Sequence, residues 1–236
     1  MKKILILQGG LNEEHKVSIN TANEVAKVLT KLKIDFIRFT VNPKTFVRDI
    51  SRFSNKHICF NSLHGSFGED GNIQKILKKK GFRFTHSNQT SSINCFNKIK
   101  SKDIIKKNKI LTPQHKLVKI KDINPKYMEK ISIKFKKFVL KPVSSGSSYG
   151  LKVIKSKKDL SFFCKAIPKF KKNFDYNEDF LIEKYISGKE LTVSVLENKL
   201  KTKPLEVTEI VSLNQTYDYQ AKYTKGFLKH YITAII

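Results

Sequence analysis

Short apolar runs separated by helical repeats set the rhythm of the first ninety residues. Residues 3–7 (KILIL) form a brief apolar run that predicts a strand, and Gly9-Gly10 turn the chain after it. Val17, Thr21, Val25 and Val28 fall near one face of a helix predicted over residues 17–29. Residues 33–40 and 57–63 predict a second and third strand. Ile73, Ile76 and Leu77 predict a short helix over 73–80, and residues 82–85 a fourth strand. Strands alternating with helices imply parallel βαβ units, so residues 1–90 predict a small doubly wound α/β domain.

The pattern then changes. A helix is predicted over 91–107, ended by Thr112-Pro113, followed by a strand near Leu117 and a polar helix over 125–133. Residues 138–140 and 151–154 predict strands flanking a Ser/Gly loop at 144–148. A helix over 159–167 and a strand over 180–183 complete an α+β block with antiparallel pairs. Strands recur at 191–196 and 204–211, and a loop rich in Tyr and charge spans 217–225. No internal repeat, coiled coil or flexible linker interrupts this order.

Composition removes several function classes. No apolar run approaches the roughly 20 residues that span a membrane. The start, MKKILILQGG, has a five-residue apolar stretch that leads into Glu13-Glu14, which reads as a strand and not as a signal peptide. Cys59, Cys95 and Cys164 are odd in number and far apart, which excludes a disulfide framework or zinc spacing and points to a reduced, cytoplasmic compartment. The net charge of +27 invites a nucleic-acid reading, but only Arg38, Arg48, Arg52 and Arg83 among 47 basic residues are arginine. Lysines spread along the whole chain read as solvated faces and compositional drift, so no nucleic-acid partner is expected. The charge would still attract anionic ligands such as nucleotides.

Four segments carry candidate chemistry. LHGSFGEDGNIQ (63–74) follows the third strand and packs His64, three glycines and Glu69-Asp70 together. It is either an ordinary polar loop or a ligand loop at a strand's carboxyl end. KPVSSGSSYG (141–150) puts Lys141 before hydroxyls and backbone amides that can wrap phosphate oxygens. It is not a GxxxxGK[ST] loop, since the lysine comes first, and alone it equally suits a flexible turn. LIEKYISGKE (181–190) places Glu183 and Glu190 on a short connection, fit either for an adenine and ribose or for a solvated hairpin. YDYQAKY (217–223) combines three tyrosines with Lys222, which suits either phosphate contacts and a lid that excludes water or an exposed Tyr-rich loop.

These segments, in this order, resemble the D-alanine–D-alanine ligases of the ATP-grasp superfamily. HGSFGEDGNIQ, PVSSGSSYG, EKYISGKELTV and YDYQAKYT carry the resemblance, and GGLNEEHKVS is similar to the family's first glycine loop. The likeness implies an N-terminal α/β domain (1–90), a central ATP-binding lid domain (91–186) and the start of a C-terminal domain (187–236), with ATP between the last two. It implies phosphorylation of one D-alanine to an acyl phosphate and attack by a second, giving the dipeptide for peptidoglycan and hence the cell wall. Glu14 would bind the first D-alanine's ammonium and His64 its carboxylate. Ser147 would orient Glu14 and Tyr223 in a hydrogen-bonded set. Lys98, Lys141 and Lys222, with Ser147 and Ser148, would meet the ATP phosphates. Glu183, Lys184, Tyr185 and Ile186 would hold adenine, and Glu190 the ribose. The family implies a homodimer as its usual state.

The chain also departs from that pattern. The family's magnesium ligands lie in a segment beyond this one. The residues after Tyr223, TKGFLKHYITAII, contain no Asp, Glu or Asn. Magnesium takes hard oxygen ligands, so no metal site is expected within this chain although Mg2+ is implied for the reaction. The expectation is ligase ancestry with either complementation in trans or a remnant that only binds nucleotide or amino acid. Exposed apolar surface, with poor solubility or association with a partner, is expected to accompany it.

Overall fold

The computed structural model describes residues 3–198, 201–212 and 228–232. The chain divides into two compact units, Met1–Thr112 with Val143–Gly146 and Pro113–Pro142 with Ser147–Ile236. Each is taken in turn.

The first unit runs β1 (Ile4–Gly9), α1 (His15–Lys31), β2 (Phe36–Val41), α2 (Phe46–Asp49), β3 (Ile58–Asn61), α3 (Asn72–Lys79) and β4 (Arg83–Phe84). All pairings are parallel, in the order β2-β1-β3-β4. Leu5, Leu7, Cys59, Ile73 and Leu77 are fully buried and form its core with Phe46. The chain places β2 on one side of β1 and β3 on the other. That reversal opens a crevice beyond the carboxyl ends of β1 and β3, where open α/β sheets bind ligands. The two loops that leave those ends are GGLNEE and LHGSFGEDG.

Two helices, α4 (Gln89–Phe96) and α5 (Lys98–Lys107), occupy the stretch expected to be one. Asn97 divides them, with φ −86° and ψ 108°. Its Oδ1 accepts from the amides of Ile99 and Lys100, both at 3.0 Å, so it caps the second helix instead of continuing the first. The four-residue α2 had no counterpart in the sequence pattern, being shorter than two turns.

The second unit opens with β5 (His115–Lys119), α6 (Pro125–Phe135), β6 (Phe138–Pro142), β7 (Lys152–Ile154), α7 (Lys157–Lys171) and β8 (Asp179–Lys184). Its sheet is antiparallel in the order β5-β8-β6-β7. Phe138, Leu140, Phe180 and Ile182 from the strands bury against Met128 and Ile131 of α6 and Phe163 and Ile167 of α7. Helix α7 is longer than expected. Ser156 and Asp159 close a capping box at its start, and it continues through Pro168.

A second antiparallel sheet, β9 (Glu190–Asn198), β10 (Lys201–Ser212) and β11 (Leu228–Ile232), completes this unit in the order β11-β10-β9. Val195, Leu205 and Ile232 are exposed on it. The tyrosine-rich segment with Lys222 and Tyr223 lies outside the described residues.

Candidate functional site

In the first unit the loop after β1 delivers Glu14 to the start of α1. Gly9 N donates to Ser18 Oγ (2.8 Å), tying the strand end to the helix. Asn12 Oδ1 accepts from Glu14 N (3.1 Å), and Ser18 N donates to Glu14 O (2.9 Å). The Glu14 side chain is therefore aimed by both ends of its own backbone. It is only 2% exposed.

Two glycines wall it in. A Cβ on Gly65 would stand 2.5 Å from Glu14 Oε2, and one on Gly146 would stand 2.8 Å from the same atom. Gly65 also has φ +66°, where L side chains are strained. A side chain at either place would push the Glu14 carboxylate from its position, and at Gly65 the backbone itself favours glycine. HGSFG and the serine segment thus share one carboxylate between them.

His64 stands in the same unit. Its Nε2 shares a 2.9 Å hydrogen bond with Thr21 Oγ1 on α1, and its Nδ1 faces Glu69 Oε1 at 3.7 Å. The Glu69 carboxylate is the main reason His64's pKa is raised. Burial opposes that shift, and the charge of Glu14 adds to it. At 3.7 Å the Glu69 contact is a long ion pair, not a tight hydrogen bond. The backbone carbonyls of His64 and Ser66 accept from Asn12 Nδ2 at 2.8 and 3.1 Å, which staples the two loops together.

The acidic pair of this loop divides its duties. Glu69 Oε2 accepts from Gly65 N (3.0 Å) while its other oxygen faces His64. Asp70 is taken up by the loop itself, accepting from Phe67 N and from Asn72 N and Nδ2. It shapes the turn into α3. Cys59 is quiet, its thiol pushed up to about 12 by burial.

Lys98 begins α5. Its amide donates to Val143 O (3.1 Å), and its Nζ donates to Ser145 O (2.8 Å) and Val143 O (3.4 Å). The ammonium therefore sits on the stem of the serine loop.

In the second unit Lys141 on β6 pairs with Glu183 on β8. Glu183 lies opposite Val139, so Lys141 is its diagonal neighbour on the same face of the sheet. Glu183 is 6% exposed, and a lysine ammonium answers its buried charge. Ser147 and Ser148 follow with φ 47° and 59°, both left-handed.

Tyr185, Ile186 and Glu190 line one cavity of about 490 Å3 together with residues 209–212 of β10. Lys189 and Glu209 pair at 3.3 Å in its wall. The amides of Lys184 and Tyr185 donate to Gln114 O (2.9 Å) and Lys137 O (3.0 Å). Their main-chain carbonyls and side chains are what these two residues could offer a base. Strand β8 continues one hydrogen bond further than its apolar run suggested.

Asn12 and Thr21 are functional-looking residues that sequence reasoning missed. Asn12 lies within GGLNEEHKVS, where the pattern assigns it no role, and Thr21 enters the pattern only as a helix-face position. Asn12 stands between Gly10 and Glu14, and Thr21 is one helical turn beyond Ser18. Among the described residues, no three His, Cys, Asp or Glu side chains gather where a metal ion could sit. Glu183 and Glu209 each face a lysine, a donor set that does not suit Mg2+.

Comparison with known proteins bears on the family and the fold. The family model described as the D-ala D-ala ligase C-terminus matches residues 104–236. The chain is 36% identical to a D-alanine–D-alanine ligase of Rickettsia typhi, over 97% of this chain and 66% of that protein. A second D-alanine–D-alanine ligase, of Methylacidiphilum infernorum, is 36% identical over 99% of this chain and 70% of its own length. The chain thus spans about two thirds of such relatives. The crystal structure of the Bacillus anthracis D-alanine–D-alanine ligase superposes with a TM-score of 0.76 at 29% identity, covering 100% of this chain and 73% of that one.

Proposed function

Because this chain belongs to the D-alanine–D-alanine ligase family, we propose that it takes part in ATP-dependent joining of two D-alanines. One carboxylate oxygen of the first D-alanine attacks the γ-phosphorus of ATP, releasing ADP and forming an acyl phosphate. The amine of the second D-alanine attacks the acyl carbon, expels phosphate and loses a proton. The dipeptide would serve peptidoglycan synthesis in the cytoplasm.

One observation carries this reading: the Glu14 carboxylate is buried against Gly65 and Gly146 in the unit that also holds a cationic-leaning His64. A buried carboxylate attracts an ammonium more strongly than an exposed one. A histidine with a raised pKa suits a carboxylate. Together they match the two ends of a zwitterionic amino acid. Ser147 is proposed to steady Glu14 and Tyr223. Lys98, Lys141 and Lys222, with Ser147 and Ser148, are proposed to neutralise the nucleotide phosphates. Glu183, the carbonyls of Lys184 and Tyr185, and Ile186 are proposed to line the adenine, with Glu190 at the ribose.

Mg2+ would neutralise phosphate charge when bound, but the described residues offer no set to hold it, and no role here depends on it. The division at 1–90, 91–186 and 187–236 is retained as a proposal, supported by one sheet in each segment. A homodimer is likewise proposed from the family alone.

A second reading, a module that binds nucleotide or amino acid without turnover, is favoured by the lysine-paired carboxylates Glu183 and Glu209. Phosphate release from ATP, followed with and without D-alanine and Mg2+ on the 236-residue chain, separates the two. D-alanine-dependent release with dipeptide formation is expected for the ligase. Nucleotide binding with no such release would leave only the second reading.

A further inference from the structure

The turn that leaves the serine loop is seated on an aromatic ring. Ser147, Ser148 and Gly150 have φ of 47°, 59° and 68°. Left-handed backbone at two serines within four residues is disfavoured and persists only where the surroundings fix it. One source is visible. A Cβ on Gly150 would stand 2.6 Å from Phe174 Cζ and 2.9 Å from Pro142 Cγ. The glycine is pressed between a ring and the end of β6, and Leu151 N closes the turn by donating to Ser148 O (3.1 Å).

Phe174 belongs to no helix or strand, since it lies between α7 and β8. It is nonetheless anchored. Its ring is 5.1 Å from Phe170 and 4.9 Å, edge-on, from Phe180, both in the core of the second unit. It also meets Tyr149, ring centroids 5.5 Å apart. The ring thus links a rigid core to the loop whose amides and hydroxyls precede Gly150.

We propose that Phe174 is a positioning residue for nucleotide phosphates: by wedging Gly150 and Tyr149 against the core, it keeps Ser147 and Ser148 in the conformation a phosphate chain meets. The proposal rests on the reading of this loop as a phosphate cradle. A loop already held in its bound shape loses less conformational freedom on binding, so affinity follows rigidity. Phe174 touches no phosphate itself. Its effect is confined to the part of the ligand that the loop grips.

The test compares two probes on the 236-residue chain by calorimetry: a non-hydrolysable ATP analogue and adenosine. Phe174→Ala is expected to weaken the analogue about tenfold while adenosine stays within about twofold, with Phe174→Leu in between. Removing a ring packed on Phe170 and Phe180 also weakens the fold, so Gly150→Ala supplies an independent arm. Its Cβ meets both Phe174 and Pro142 and its φ of 68° strains the turn itself, so it reports on the loop as a whole: a selective loss of the analogue is expected, and Phe174→Leu, which leaves the loop sequence intact, is the variant that assigns the effect to the ring. A folded variant that binds the analogue as the unaltered chain does would overturn the proposal. So would equal losses for analogue and adenosine, which mark a purely structural residue. An unaltered chain that binds the analogue no better than adenosine would overturn the phosphate-cradle reading itself, and this inference with it.

Discussion

Glu14 and Glu183 are carboxylates buried almost equally, at 2% and 6% exposure, yet they are housed in opposite ways. Glu14 in the first unit has two glycines, Gly65 and Gly146, at its carboxylate tip, while Asn12 Oδ1 and Ser18 N hold its amide and carbonyl. Glu183 in the second unit is answered by a side chain, the ammonium of Lys141. Glycines beside a carboxylate leave it space that a side chain would otherwise fill. A lysine partner can swing away to a phosphate. The first arrangement suits recognition of one amino acid, and the second suits exchange between an internal carboxylate and a nucleotide.

The sharpest break in this comparison is Gly65→Ala. The added methyl would meet Glu14 Oε2 at 2.5 Å in a backbone with φ +66°. Destabilisation of about 2 kcal/mol or more is expected, read as a lowered melting transition. An unchanged transition would show that the socket yields.

Lys141→Ala is expected to have the next largest effect. It removes one cation from the buried Glu183 charge, at about 1–3 kcal/mol, below the range for fully buried pairs because the Lys141 side chain is 28% exposed. Nucleotide affinity should fall as well. Adding Glu183→Gln to Lys141→Ala should recover stability but not nucleotide affinity. Recovery of neither would mean that the pair is not the source of the loss.

The smallest effect is a pH dependence at His64. Its folded-state pKa is raised above the ordinary 6.5, chiefly by Glu69. Protonation therefore favours the folded state. The contribution is fully present below that ordinary value and is lost as pH rises through the raised one. Glu69→Gln should move the His64 titration, followed by its ring-proton NMR signal, downward. A titration that stays in place would remove Glu69 as the cause.

The sequence made the crevice of the first unit legible because periodicity reports burial directly. Residues 3–7, 33–40 and 57–63 overlap β1, β2 and β3, and the glycine loops between them fall at the strand ends. Caps were harder to read. Asn97 looks like any polar helix residue until its oxygen is seen on two amides, so one predicted helix became two. Long-range partners were harder still. Nothing local in the chain tells that Asn12 bonds a loop 52 residues away or that Asp70 is spent on its own turn. Glu183 reads as a ligand group from its motif, but its pairing with Lys141 follows from strand register, which one sequence does not display.

The most direct measurement is calorimetric titration of D-alanine into the 236-residue chain and into its Glu14→Gln variant. The buried socket predicts saturable binding to the former and a loss of about tenfold to a hundredfold in the latter, the range for a charge-assisted hydrogen bond. Equal affinity for both would contradict the placement of the substrate ammonium at Glu14.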